Sequence, residues 1–237
     1  MELALVLGFG AVVVGLLVLG MWLQRKRHER FRQWAAAHGW TYQEFDRSLA
    51  DLSHDQPFGV GSNRNATEVL RGSFRSRDAL SFTYAWTTGS GKSRSTHHAH
   101  VVALALPAFL PTVEVTPEGL GAKLVKMLGA RDLQFESEAF NEAYRVAASD
   151  PRVGHAILHP RLMERLLRAD ALGSAWRIEG TEILSWEPGS TDVDRLASRL
   201  GLLAAVVDSI PRHVWQDHGH DPSPTTIVPP PPDATIA

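Results

Sequence analysis

The chain has 237 residues, of which 44% are apolar and 21% charged, and its formal net charge is -2. Together with a mean hydropathy of -0.13 and a single long apolar run, this composition excludes collagen, a fully disordered chain and a protein with many membrane spans. The near-zero charge argues against a nucleic-acid partner, and the absence of cysteine excludes disulfides, cysteine-ligated zinc, iron–sulfur clusters and a thiol nucleophile.

The first predicted element is a transmembrane anchor over residues 1–24. Its core, Leu3–Leu23, holds 21 residues without a charged or strongly polar side chain. As a helix it would be about 31 Å long, close to the thickness of the bilayer hydrocarbon core. A cleaved signal peptide is the alternative, but the run is longer than the usual apolar core and lacks both a basic start and a directly following cleavage site.

A basic segment follows, and residues 25–38 are predicted to continue as a juxtamembrane helix ending before Gly39. The segment contains Arg25, Lys26, Arg27, Arg30 and Arg32. Positive flanks remain cytoplasmic, so we predict a single-pass protein of the inner or plasma membrane with its N-terminus outside and its C-terminal domain inside. The cluster should attract anionic lipid by about 1 kcal/mol per charge.

Small residues form a stripe on the apolar segment, at Ala4, Gly8, Ala11 and Gly15. The spacing of four, three and four places them on one helix face, where small side chains let two membrane helices approach closely. The stripe suggests a homo-oligomer through the transmembrane helix, although chance also produces such stripes.

Residues 39–218 are predicted to form one α+β domain that begins with an antiparallel β-meander. The predicted strands lie in WTYQEF, ATEVLRGSF, LSFTYAWT, THHAHVVALALP and PTVEVTP. In the third of them Leu80, Phe82, Tyr84 and Trp86 alternate with smaller and polar residues, which places the four side chains on one face.

The second half should supply the helices that pack on the sheet. We predict a helix over 119–129, one or two strands over 135–149, helices entered at Asp150-Pro151 and Pro160, a hairpin at Glu179-Gly180, and a long helix that starts near Thr191 and ends at Pro211. In the long helix, apolar residues recur at the spacing of a core-facing stripe.

Residues 219–237 are rich in proline, which prevents packing and favours an extended polyproline conformation. This tail could dock a protein partner, and a spacer or a disordered end explains the composition equally well.

Histidines provide the first candidate sites. His98 and His100 share a face of a predicted strand beside His97 and could hold a metal, but no third ligand is identifiable and packed histidines explain them as well. His155 and His159 have a helical metal-site spacing, but Pro160 should break that helix. His213, His218 and His220 are expected to be solvated.

The other patterns are weaker. TTGSGKSRS resembles a phosphate-binding loop, but Trp86 stands where its first glycine belongs and a strand follows instead of a helix. Glu136 and Glu138 could form an acid/base pair on a strand, which a solvated sheet edge explains more simply, and Asn65 begins a glycosylation sequon that a cytoplasmic domain would not use. We therefore assign no catalytic, metal-binding or cofactor-binding residue and expect no cofactor.

The stretch FNEAYRVAASDPRVGHAILHPRLMERLL resembles the signature of a bacterial membrane-associated domain of unknown function. The matching positions are Phe140, Asn141, Tyr144, Val146, Asp150, Ala156, Leu158, Pro160, Met163, Leu166 and Leu167. Tyr144 stands where phenylalanine is usual, and His159 where threonine is usual. The stretches PFGVG, HHAHVVALALP, VEVTPEG and IPRHVW extend the resemblance to uncharacterised bacterial proteins with one N-terminal span. The matched residues are mostly apolar or turn residues, so the resemblance implies a fold and carries no activity.

These observations predict a membrane-anchored, cytoplasmic-facing binding or interaction domain rather than an enzyme. A metal- or histidine-dependent hydrolase that uses the strand histidines is the alternative.

Overall fold

The computed structural model describes residues 2–53, 55–118 and 131–222, and it describes side chains from residue 14 onward except that of Arg131. The helices are α1 (Glu2–His38), α2 (Glu138–Ala143), α3 (Pro151–Ile157), α4 (Pro160–Leu166), α5 (Leu196–Ser209) and α6 (Arg212–Asp217). The strands are β1 (Thr41–Asp46), β2 (Ser62–Phe74), β3 (Arg77–Thr88), β4 (Ser95–Pro117), β5 (Arg131–Leu133), β6 (Tyr144–Ala148) and β7 (Ala175–Pro188). The prediction of an α+β fold with an antiparallel sheet is confirmed.

The seven strands described form one sheet around β4. The first four strands pair in chain order, as a meander does. β4 then pairs through its C-terminal part with β6, which pairs with β5, while β7 runs along the other edge of β4. All of these pairings are antiparallel, so β4 holds the two parts of the sheet together.

Two strand predictions were wrong because β4 and β7 continue through irregularities in their pairing where the sequence suggested a break or a turn. The two strands predicted over 96–117 are the single strand β4, whose register with β7 shifts between Ala105 and Val113. The hairpin predicted at Glu179-Gly180 is one continuous strand. Gly180 has a φ of 66°, and this left-handed conformation serves an irregularity opposite Leu110 rather than a chain reversal.

The strands predicted over 135–149 were wrong in their first part. The structure places α2 there, because the Ser137 side chain accepts a hydrogen bond from the Phe140 backbone N–H and caps the helix. The helix starts at Pro151 and Pro160 are confirmed. The long helix starts at Leu196, later than predicted. The predicted helix over 119–129 and nearly all of the proline-rich tail lie outside the described residues.

Each face of the sheet buries an apolar cluster. The larger cluster contains residues of α3, α4, α5 and the end of α1, with Trp176 and Leu203 fully buried in it. The smaller cluster lies under residues 47–53 and 55–61 and contains Phe58, Phe82 and Tyr84. Leu80 and Trp86 pack against this smaller cluster, so the predicted face of β3 is confirmed.

No helix among the described residues is long and apolar enough to cross a membrane. The predicted span begins in residues 2–13, whose side chains lie outside the description, and therefore stays a prediction.

Candidate functional site

The end of α1 packs directly onto the sheet. Phe31 and Ala35 are buried in the larger core cluster, and the Phe31 ring stacks on Tyr42 with 5.7 Å between centroids. Trp34 meets Trp40 edge to face at 5.6 Å. These contacts make the last two turns of α1 part of the folded body.

Ion pairs also connect α1 to the first two strands of the sheet. Arg27 pairs with Glu68 of β2, and Arg32 pairs with Glu44 of β1. Arg27 also donates to the Thr191 carbonyl at 3.2 Å. The Arg32 pair is exposed and contributes little, whereas Glu68 is buried, so the Arg27 pair holds more of the helix in place.

The basic segment therefore has two parts, one that pairs with carboxylates of the body and one that does not. Arg30 also pairs with the body, through Asp194 at 2.8 Å. Within the part of the chain that the structure describes, Arg25 and Lys26 have no carboxylate partner, and the Lys26 Nζ lies 3.9 Å from the centre of the Trp22 ring. Three of the five basic side chains therefore pair with the body, although those of Arg30 and Arg32 stay exposed.

A row of buried polar side chains, Glu68, Thr83, Ser81 and His100, crosses the sheet from the junction of α1 with the body. Thr83 donates to Glu68 at 2.7 Å and accepts from the Thr191 backbone N–H at 2.7 Å. These bonds satisfy Glu68 below Arg27, so the junction rests on a hydrogen-bonded network rather than on a single ion pair.

His100 belongs to this row. Its buried ring bonds to the Ser81 hydroxyl at 2.9 Å and receives the Asp192 backbone N–H at 3.4 Å. Burial, then the charges of Arg199 and Arg195, lower the pKa of His100 to about 3. Glu187 lies 3.9 Å from the ring but is itself paired with the two arginines, so it does not keep the histidine charged.

We expect His100 to make the fold sensitive to acid. Its pKa is depressed in the folded state, so the unfolded chain binds the proton first and stability is lost as pH falls below about 6.5. From pH 7.5 to pH 5 this group should cost about 2 kcal/mol. Urea unfolding of the full chain and of His100→Gln measures the difference. An equal pH dependence in the variant would contradict the assignment.

The predicted histidine cluster does not converge. His98 is exposed and His100 is buried, while His97 bonds to the Thr88 hydroxyl at 2.8 Å and stacks on Trp86. No group of three potential metal ligands is present among the described residues.

The structure also separates the second histidine pair. α3 ends at Ile157, as the proline predicted, and the His159 ring bonds to the Ser209 carbonyl at 2.9 Å. His155 instead lies against Phe135, 5.0 Å between ring centres. Among the last histidines, His213 is exposed, whereas His218 and His220 are half-buried, and the His218 ring bonds to the Val214 carbonyl at 2.8 Å.

The remaining candidates lie apart on the surface. Glu136 precedes α2 and Glu138 is in its first turn, so the two do not share a strand face. The segment around Lys92 is a short 3-10 turn at the tip of the β3–β4 hairpin. The Asn65 amide donates to the Asn63 carbonyl on β2.

Sequence reasoning missed a buried charged cluster on β7. Arg177 is fully buried and pairs with buried Glu114 of β4. Its guanidinium also donates to the Ser53 hydroxyl at 2.6 Å and to the Gln56 carbonyl at 2.9 Å. Arg177 thereby ties the segment that covers the smaller core cluster to the sheet. These partners are 63 to 124 residues from Arg177, so no local pattern could have identified them.

A cleft also lies between this covering segment and the sheet. Its volume is about 440 Å³, and its lining includes Leu49, Leu52, Leu80, Ala103 and Ala105. Two acidic residues line it. Asp78 is exposed, whereas Glu182 of β7 is partly buried, and burial followed by the nearby charge of Glu179 raises the pKa of Glu182. The cleft therefore combines an apolar surface with one poorly hydrated carboxylate.

These elements define the class of fold: an α+β body with one antiparallel sheet, entered through a long helix. The fold is similar to the crystal structure of the mycobacterial trehalose monomycolate transport factor A, TtfA, with a TM-score of 0.58 and 15% sequence identity over 77% of this chain and 93% of that chain. At this identity the similarity concerns the fold alone. No family model and no curated protein matches the chain. The resemblance of residues 140–167 to a membrane-associated domain thus stays a prediction.

Proposed function

We propose that the protein is a single-pass membrane-anchored factor that holds a binding domain at the cytoplasmic face of an inner or plasma membrane. The observation that carries the proposal is the junction of α1 with the body. Phe31 and Ala35 are buried and Arg27 is paired, so the helix that leads out of the apolar segment is also a packed element of the domain. Only about 6 Å of helix separates Leu23 from Arg27.

Such a junction differs from a flexible tether. A tethered domain moves freely over the membrane, whereas a body packed on its own anchor helix keeps one face towards the lipid. Arg25 and Lys26, the two basic side chains left without a carboxylate partner among the described residues, would bind anionic headgroups at the level of Trp22. The orientation of the body then presents the rest of its surface to a partner.

The proposed role is an accessory one without chemistry of its own. TtfA is named as a transport factor for trehalose monomycolate. An accessory role beside a membrane process suits an anchored body in which the candidate catalytic side chains lie apart. The transported compound of TtfA is not proposed for this chain. The histidine-dependent hydrolase remains an untested alternative.

Two further contacts belong to the proposal. The stripe of Ala4, Gly8, Ala11 and Gly15 would join two copies within the bilayer, and the tail over 219–237 would dock a protein partner in an extended form.

Single introduced thiols test the topology, because the chain has no cysteine of its own. Lys92→Cys places a thiol on an exposed hairpin tip, and Glu2→Cys places one before the apolar run. In intact bacterial spheroplasts, we expect an impermeant maleimide to label Glu2→Cys only. After lysis it should label both variants. Labelling of Lys92→Cys in intact spheroplasts, or recovery of the protein outside the membrane fraction, would refute the proposal.

A further inference from the structure

The cleft beside β7 contains a carboxylate, that of Glu182, with no partner among the residues that the structure describes. Within residues 2–53, 55–118 and 131–222, the Glu182 carboxylate has neither a hydrogen bond nor an ion pair, although it is partly buried. A buried carboxylate without a partner costs free energy, and charged groups kept in this state are typical of binding sites.

The cations near the cleft are already occupied. Arg71 lines the cleft, but its guanidinium donates to Asp46 at 2.7 Å and to Gln43 at 3.4 Å. Arg177 is not among the lining residues and pairs with Glu114. Glu182 therefore receives no compensation from either arginine.

The neighbouring charges increase the negative potential. Asp78 lies in the same cleft and is exposed, and the charge of Glu179 acts on Glu182. An anionic ligand would be repelled here. A metal ion would find too few ligands, since no group of three potential metal ligands occurs among the described residues.

The apolar lining selects the rest of the ligand. Leu49 and Leu52 form one wall, and Leu80, Ala103 and Ala105 belong to the sheet below. Aliphatic side chains on both sides of the cleft favour an aliphatic chain between them, because both surfaces then leave water.

We propose that the cleft binds an alkylammonium group, a primary amine on an aliphatic chain, with the amine on Glu182 and the chain against Leu49, Leu52 and Leu80. The volume of about 440 Å³ is sufficient for a chain of several carbons. This ligand gives the carboxylate its missing partner. The inference does not depend on the membrane anchor.

Methyl NMR of the full chain in detergent, with labelled alanine and leucine, tests the site with hexylammonium as the probe. We expect saturable shifts at the methyl groups of Ala103, Ala105 and Leu80. Glu182→Gln should weaken binding at least tenfold. Glu136→Gln, which neutralises an exposed carboxylate elsewhere, should leave it unchanged. Hexanoate, an anion with the same chain length, should produce no saturable shift.

Unchanged affinity in Glu182→Gln, or equal saturation by hexanoate, would overturn the proposal. The variant should fold, because it removes an unpaired charge, and its stability should not fall. A loss of stability would mean that the carboxylate is a structural group, and this would overturn the proposal too. Thiol labelling of Lys92→Cys should be the same with and without Glu182→Gln, so failure at the cleft and failure of the membrane topology are distinguishable.

The peptide acetyl-Leu-Lys-Leu-amide identifies the source of the amine. Tighter binding than that of hexylammonium supports a lysine presented by a partner protein. Weaker but saturable binding supports a free aliphatic amine. Both results support the alkylammonium site.

Discussion

Replacement of Arg177 by methionine should cost about 3–5 kcal/mol of unfolding free energy. The guanidinium is fully buried, and its removal leaves the buried Glu114 carboxylate without its cation. The Ser53 hydroxyl and the Gln56 carbonyl also lose their donor, so the segment over the smaller core cluster should loosen. Urea unfolding of the full chain, followed by tryptophan fluorescence, measures the loss.

Two further variants separate the charge from the packing. Arg165→Met removes an arginine whose partner, Asp170, is largely exposed, so it should cost less than about 1 kcal/mol. In the double variant Arg177→Met/Glu114→Met no unpaired charge remains, and stability should exceed that of Arg177→Met alone. A loss below about 1 kcal/mol in Arg177→Met would show that the pair does not hold the covering segment.

The parts of the fold that the sequence predicts depend on local periodicity. The alternation from Leu80 to Trp86 identified the face of β3, since side chains on a strand point to opposite sides in turn. Asp150 before Pro151 identified the start of α3, because an N-cap acceptor followed by proline is specific to the first turn of a helix.

The missed parts depend on distant contacts. Whether Gly180 reverses the chain or bends it within a strand is decided by its pairing with Leu110 on β4, 70 residues earlier in the chain. The ion pairs of Arg30 with Asp194 and of Arg27 with Glu68 span 164 and 41 residues, so the basic segment gave no sign that most of its side chains pair with the body. The sequence also did not indicate that Glu182 is partly buried in a cleft, since an acidic residue on an alternating strand normally marks a solvated face.

The junction with the body predicts a second large effect, at Phe31. Phe31→Ala should cost about 3 kcal/mol, because it removes a buried ring that packs on Tyr42 and leaves a cavity under α1. Hydrogen exchange should become faster over residues 27–38 and remain slower in β3 and β4, since the helix end loses its main apolar contact while the sheet keeps its own.

Gln33→Ala is the matched control for Phe31→Ala, because Gln33 is exposed on the same helix and should change stability by less than about 0.5 kcal/mol. If Phe31→Ala also increases the rotational freedom of a spin label at Lys92→Cys in lipid bilayers, the packed junction fixes the orientation of the body above the membrane. Unchanged exchange over 27–38 would show instead that the ion pairs of Arg27, Arg30 and Arg32 suffice to hold the helix. In that case ion pairs would hold the end of α1 against the body, and added salt would weaken this contact. An apolar contact is instead strengthened by the salting-out anions sulfate and phosphate.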